Sequence, residues 1–255
     1  MKNAPKTDNL LYRVVRRLIW LFFPKMKPEG EENLPADESC VIVGNHCQMH
    51  GPVSCEIYSP VDRYTWCAGD MMEWKTVPGY AFQDFWSQKP RWTHPFYKLL
   101  SYIITPLAVL LFNNAQTVAV YHDARVLSTF RDSVRLLQDG KSLVIFPEHD
   151  VKDNHILYEF QDRFVDVAKM YYKKTGKALA FVPLYIAPAL GRMCYGAPIR
   201  FDPAAPIAEE RLRICRALRD AITAMAEALP PHRVVPYRNI PRKLYPTNRP
   251  EAKTP

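Results

Sequence analysis

Val41-Ile42-Val43-Gly44-Asn45-His46-Cys47-Gln48-Met49-His50-Gly51-Pro52 runs from an apolar segment straight into an Asn-His pair. Three consecutive β-branched residues predict a buried strand. Gly51-Pro52 predicts that the chain restarts there, at the first turn of a helix. Strand, short loop and helix form the repeating unit of an α/β fold. The loop between them holds an imidazole at the mouth of a strand, where a substrate can reach it.

The alternation continues downstream. Residues 117–121 read as a strand. Residues 125–139 place Phe130, Val134 and Leu137 on one helical face and stop at Gly140, a C-cap signature. Residues 141–146 predict a buried strand ending in Pro147-Glu148. Residues 158–174 repeat Phe160, Phe164, Val167 and Tyr171 at helical spacing, and the pattern stops near Gly176. Residues 179–187 predict another strand, and 209–229 a long amphipathic helix closed by Pro230-Pro231. The expected fold is α/β, with a mostly parallel or mixed central sheet and helices on both faces. Three regions follow: an N-terminal interfacial helix within 1–30, an α/β domain over 31–232, and a basic, Pro-rich, loosely packed tail over 233–255.

A chain of 255 residues suits one such domain, and 48% apolar against 24% charged residues argues against disorder. The net charge of +8 calls for an acidic partner: nucleic acid, anionic lipid headgroups or a phosphorylated substrate. No basic run is interleaved with aromatics and no zinc-finger or RNA-binding signature is present, which sets nucleic acid aside. The six cysteines show no CxxC spacing and sit largely in apolar runs, as expected of reduced, buried thiols in the cytoplasm. No small-residue cleavage site follows the first hydrophobic segment, so no secretory signal is expected.

That first segment, 9–23, places Arg13, Arg16, Arg17 and Trp20 on one stripe of a helix and apolar residues around the rest. Its three arginines argue against a span, which needs ~20 mostly apolar residues. An interfacial helix, with arginine heads at phosphate level, is the expectation; a helix packed on the domain's own core is the alternative. A second apolar stretch, 96–112, is interrupted by Lys98 and Pro106 and falls short of a comfortable span. It reads as a buried helix pair or as a shallow hairpin dipping into one leaflet. Trp66, Trp74, Phe85, Trp86 and Trp92 crowd the intervening sequence, as aromatics do at membrane interfaces and in apolar pockets. With the basic charge, these features predict peripheral or monotopic attachment to an anionic membrane surface, at its cytoplasmic face.

Ligands of parallel α/β sheets bind beyond the carboxyl ends of the strands. Four polar clusters fall there: Asn45-His46, His122-Asp123-Ala124-Arg125, Glu148-His149-Asp150, and Tyr185. Each alone is an ordinary polar loop. In order, they resemble the four blocks of the glycerolipid acyltransferases, the lysophosphatidic-acid-acyltransferase-like family. Asn45-His46 is similar to the catalytic block. Asp123-Ala124-Arg125 is similar to an Asp-Arg pair, with one residue between. Phe146-Pro147-Glu148 matches a Phe-Pro-Glu block, with His149 where the family usually has Gly, and Val182-Pro183-Leu184 is similar to the fourth block. Where the family carries an Asp after the His and a four-residue spacer, this chain has Gly51.

The resemblance implies transfer of a fatty acyl group from acyl-CoA or acyl-carrier protein to the hydroxyl of a glycerophosphate or lysophospholipid, with no other cofactor and no metal. A neutral imidazole, His46 beside Asn45, suits removal of the hydroxyl proton. Arg125 would hold the acceptor phosphate, in blocks that also contribute Asp123 and Pro147, and Glu148 would orient the acceptor's polyol or pair with Arg125. A structural ion pair is the competing role for Arg125 and Glu148. A carboxylate normally fixes the imidazole tautomer and stabilises the imidazolium; its loss lowers the rate by roughly 10⁴ in serine hydrolases. Asp70, Asp123 or Asp150 could replace it, or His50 or Gln48 could hold the tautomer without charge. Without a substitute, the chain would be a catalytically impaired homologue that binds phospholipid or acyl carrier. His46 and His50 also stand at i and i+4, as in zinc-binding helices, but Cys47 replaces the Glu of that motif and Gly51-Pro52 breaks the helix.

Overall fold

The computed structural model describes residues 9–121 and 123–249. His122, counted above in the second polar cluster, lies outside the described residues, as does the end of the tail from 250 on.

The chain opens with α1 (Leu10–Phe22), capped by the Asn9 side chain, which accepts the Tyr12 N–H at 3.0 Å. Strands β1 (Lys27–Glu29) and β2 (Cys40–Gly44), α2 (His50–Tyr58) and β3 (Arg63–Ala68) follow. Next come α3 (Val77–Ala81), which runs into a π-helical turn at Phe82–Trp86, and α4 (His94–Asn114). Then come β4 (Thr117–Val120), α5 (Val126–Gln138), β5 (Ser142–Ile145), β6 (Glu148–Asp153), β7 (Tyr158–Phe160) and α6 (Asp166–Thr175). The chain continues through β8 (Ala180–Ala187), β9 (Arg192–Tyr195), β10 (Ile199–Arg200) and α7 (Ile207–Ala228).

The central sheet has the order β1-β9-β8-β2-β5-β3-β4, with β10 also paired to β8. β8, β2, β5, β3 and β4 are parallel, and β9 and β10 run antiparallel to β8. This is the mixed, mostly parallel α/β sheet expected from the sequence. β2 is buried on both faces, hence its unbroken apolar run. Val41 and Val43 pack into the layer formed with α5, α6 and α7, while Cys40 and Ile42 pack with Met26, Leu34 and Cys55 on the other side.

Several expectations need correction. The helix read over 158–174 begins only at Asp166. Tyr158–Phe160 is drawn into a hairpin with β6, and a 3-10 turn, Asp162–Val165, joins it to α6. The helical spacing of Phe160, Phe164, Val167 and Tyr171 comes from three elements facing one core. The stretch 96–112 is neither a helix pair nor a hairpin: α4 is one 21-residue helix through Pro106, about 31 Å long, comparable to a bilayer's hydrocarbon thickness. Residues Arg91–Asn114 are long and apolar enough to cross a membrane.

The first and fourth helices leave large apolar side chains in the open. In α4, Ser101, Thr105 and Ala108 point inward while Phe96, Leu99, Tyr102, Ile103 and Leu107 stand in the open. α1 touches α4, buries Tyr12 and Arg16, and exposes Leu11, Val14, Leu18 and Phe22. Arg16 therefore does not reach outward to phosphates. Its Nε donates to Glu56 Oε1 at 2.9 Å, where Tyr12 and Arg63 also bond the same carboxylate. Burial works to raise the Glu56 carboxyl, but Arg63, Tyr12 and Arg16 outweigh it and hold it below its usual range.

The tail is anchored at its two ends, while 238–244 between them are largely exposed. Val234 and Asn248 are buried, and Asn248 donates to the carbonyls of Ala226 (2.8 Å) and Leu229 (3.2 Å). These carbonyls lie at the end of α7, where Asn248 adds to the Leu229 N–H on Ala226 and to Arg249 on Leu229.

Candidate active site

β2 lies between β5 and β8, so the ends of three parallel strands converge on the Asn45-His46 loop. Asn45 is buried and extends the ladder with its side chain: its Oδ1 accepts the Ile186 N–H at 2.7 Å, and its Nδ2 donates to the Ile186 carbonyl at 3.1 Å. Asn45 thus fixes the loop to β8. The next residues turn sharply. Cys47 (φ 49°) and Gln48 (φ 55°) are both left-handed, a conformation that disfavours side chains. The loop closes with the Gly51 N–H on the His46 carbonyl at 3.0 Å.

That closure explains the residue at 51. A Cβ there would sit 2.4 Å from the His46 carbonyl oxygen and 3.0 Å from that of Asn45. The tight loop and a carboxylate at position 51 exclude each other.

The His46 imidazole sits between two aromatic edges, Phe146 at 5.4 Å and Tyr237 at 5.6 Å between ring centroids. Its Nδ1 is buried and has no hydrogen-bond partner. Burial lowers its pKa to about 4, opposed in part by the Gln48 backbone, so the ring is neutral at pH 7. Among the described residues, no carboxylate bonds this ring. Asp150 is paired with Arg238 at 2.9 Å. Asp123 is paired with Arg125 at 2.8 Å. Asp70 sits in the turn after β3, two strands from β2, where its carbonyl accepts from Thr76. Gln48 points away, donating to the Arg238 carbonyl (3.2 Å) and the Tyr245 hydroxyl (3.1 Å). His50 packs on Phe23 at 5.4 Å with its own Nδ1 unpartnered, and burial followed by Arg242 lowers its pKa.

Glu148 is not bonded to Arg125, whose guanidinium meets Asp123 and Glu73. It is 3% exposed, and its two oxygens accept backbone N–H groups, from His46 at 2.6 Å and from Tyr158 at 2.8 Å. Burial pushes its pKa up to about 7, against the pull of those two donors. Pro147 is likewise buried, its carbonyl taken by the Gln161 N–H at 2.9 Å.

Arg125 lies after β4, the edge strand, three strands from β2 and hence roughly 14 Å across the sheet. It forks onto Asp123, reaches Glu73 at 3.1 Å and stacks over Tyr121 at 3.8 Å. Its hydrogen bonds hold the exposed Asp123 carboxyl below the usual carboxylate range. The structure thus gives Arg125 and Asp123 the ion-pair role. His46 and His50 do not share a helical turn, because α2 starts only at His50, and no group of three or more metal-ligating side chains occurs among the described residues.

Tyr237 is the site residue that sequence reasoning missed. It contacts both His46 and Tyr158, the latter at 6.1 Å, from a segment read as tail. Burial, followed by the charges of Asp84, Glu148 and Asp150, raises its hydroxyl pKa.

No family model matches the chain, and no curated protein matches it. Among solved structures it is similar to the 1-acyl-sn-glycerophosphate (LPA) acyltransferase PlsC from Thermotoga maritima, with 16% identity and a TM-score of 0.47. The similarity covers 87% of this chain and 83% of that one.

Proposed function

We propose that this chain is a membrane-associated acyltransferase. It moves a fatty acyl group from acyl-CoA or acyl-carrier protein to the hydroxyl of a glycerophosphate or lysophospholipid, with His46 as general base. The observation that carries this reading is a neutral imidazole with an unpartnered Nδ1 at the end of the central strand, its backbone pinned by a buried Glu148. The order of the Asn-His, Asp-x-Arg, Phe-Pro-Glu and Val-Pro blocks along the chain supports it.

The acceptor oxygen attacks the thioester carbonyl as a ring nitrogen of His46 takes its proton. A C–O bond forms, the tetrahedral intermediate expels the thiolate as the C–S bond breaks, and the imidazolium returns the proton to sulfur. No covalent enzyme intermediate is needed. The burial that keeps the ring neutral also makes it a weak base, and among the described residues no carboxylate stabilises the imidazolium, so transfer is expected to be slow.

The exposed apolar side chains of α1 and α4, with Arg13, Arg17 and Lys98 exposed among them, support membrane association. A second reading, a catalytically impaired homologue that binds phospholipid or acyl carrier, is favoured by the missing carboxylate and the tight fit at Gly51. Acyl transfer by the native protein and by His46→Ala separates the two: His46-dependent transfer establishes the enzyme, and none from either folded protein leaves the binding homologue.

A further inference from the structure

The segment that carries Tyr237 has firm ends and a tip held by side-chain bonds, among them Arg233 Nη1 on the Arg242 carbonyl at 3.0 Å. At its roots, the Val234 N–H donates to the Pro246 carbonyl at 2.9 Å, Arg233 bridges Thr247, and the His232 N–H donates to the buried Asn248 at 2.8 Å. Residues 235–245 therefore leave and return at nearly one point, the geometry of an Ω-loop. The tip lies on the site: Tyr237 covers His46, Arg238 Nε meets Asp150 Oδ2 at 2.9 Å, and Gln48 holds the Arg238 carbonyl and the Tyr245 hydroxyl. Arg238 and Asp150 are 53% and 47% exposed, and an ion pair that wet holds weakly.

The tip is also basic. Arg238, Arg242 and Lys243 lie within it and no Asp or Glu does, while Arg242 is close enough to His50 to depress its protonation. Arg125, by contrast, is already forked onto Asp123 and lies at the far edge of the sheet. The Arg238 guanidinium is shared between an exposed carboxylate, Asp150, and the Tyr158 side chain, and a phosphate, whose oxygens match its paired donors, competes with both.

We propose that residues 235–245 form a lid that closes over His46, and that a phosphate-bearing ligand opens it by drawing Arg238 off Asp150, with Arg242 as the second cation. The phosphate class rests on the acyl-transfer reading; the lid does not. The ligand is a phosphate monoester, from a soluble glycerophosphate or from a lipid headgroup.

The test uses the full chain and two readouts: amide hydrogen exchange of 235–245, and diethylpyrocarbonate modification of His46 followed by mass spectrometry. Arg238→Gln and Asp150→Asn should each speed both by roughly two- to fivefold, the range set by an exposed ion pair. The swapped pair, Arg238→Asp with Asp150→Arg, should restore the slow rates. Glycerol 3-phosphate, or phosphatidylcholine vesicles carrying phosphatidic acid, should speed lid exchange in the native chain but not in Arg238→Gln/Arg242→Gln. A response to glycerol 3-phosphate supports a soluble source, and a response to vesicles alone supports a headgroup. Unchanged rates in both single variants would overturn the lid. Opening by the variants but by neither phosphate source would overturn the ligand class. Neither readout depends on acyl transfer, so a responsive lid on an inactive protein would refute the enzyme and leave the lid standing.

Discussion

The backbone N–H of His46 donates to Glu148 Oε1 at 2.6 Å, and the other oxygen of that carboxylate takes the N–H of Tyr158. Glu148 therefore works on main chain, bracing a loop whose next two residues are left-handed. Glu148→Gln puts an NH₂ donor opposite one of two N–H donors. It should destabilise the fold by about 1–3 kcal/mol, the cost of a buried group without its partner. Turnover should fall while acceptor KM changes little, because His46 is displaced and no ligand contact is removed. Urea unfolding and steady-state kinetics check both. Unchanged stability would show that the loop does not depend on this carboxylate.

Restoring the carboxylate at position 51 should not rescue activity. Gly51→Asp forces a Cβ against the His46 carbonyl, and overpacking of this kind costs about 1–3 kcal/mol. A lower thermal midpoint and no gain in transfer are expected. A stable Gly51→Asp with faster transfer would mean that the loop opens freely to accept the side chain.

Stability should depend on pH through two buried groups of opposite sign. His46 titrates at about 4 in the fold against 6.5 unfolded, so the unfolded chain takes up its proton first and stability is lost as pH falls through that window. The size is on the order of 3 kcal/mol. Glu148 titrates at about 7 against 4.5, so its contribution is present below 4.5 and is lost as pH rises toward 7. In His46→Ala the acid loss between pH 6.5 and 4 should shrink. Unfolding midpoints across this range measure it, and an equal acid loss in both proteins would contradict a buried, neutral His46.

The outer face of α4 should bind lipid. Leu99 and Ile103 are 61% and 63% exposed, so Leu99→Asp and Ile103→Asp should change stability by no more than about 0.5 kcal/mol each. Cosedimentation with anionic vesicles should nevertheless drop sharply, since an Asp is costly in a bilayer. Retained binding in the double variant would remove α4 from the membrane face.

The strands that hold the site were legible for a physical reason. β2, β5 and β8 are buried on both faces and so read as unbroken apolar runs, and Gly51-Pro52 marked the start of α2. β3 was not legible, because Arg63 is turned inward to Glu56 and breaks the apolar pattern. α4 is apolar along its length, so periodicity could not tell which side faces in. The Phe-Pro-Glu block was visible, but the partners of Glu148 are backbone groups of His46 and Tyr158, which no side-chain pattern reveals. The approach of Tyr237 to His46 is a purely tertiary contact from a segment whose composition reads as tail.

The central measurement is acyl transfer by the purified protein and by His46→Ala, with labelled acyl-CoA or acyl-carrier protein and a panel of glycerol 3-phosphate and lysophospholipids. The expected result is slow transfer by the native chain, reduced in His46→Ala by roughly 10²–10⁴, the usual contribution of a general base. Transfer unaffected by the substitution, or none from either protein while both are folded and bound to vesicles, would contradict His46 as the base of an acyltransferase.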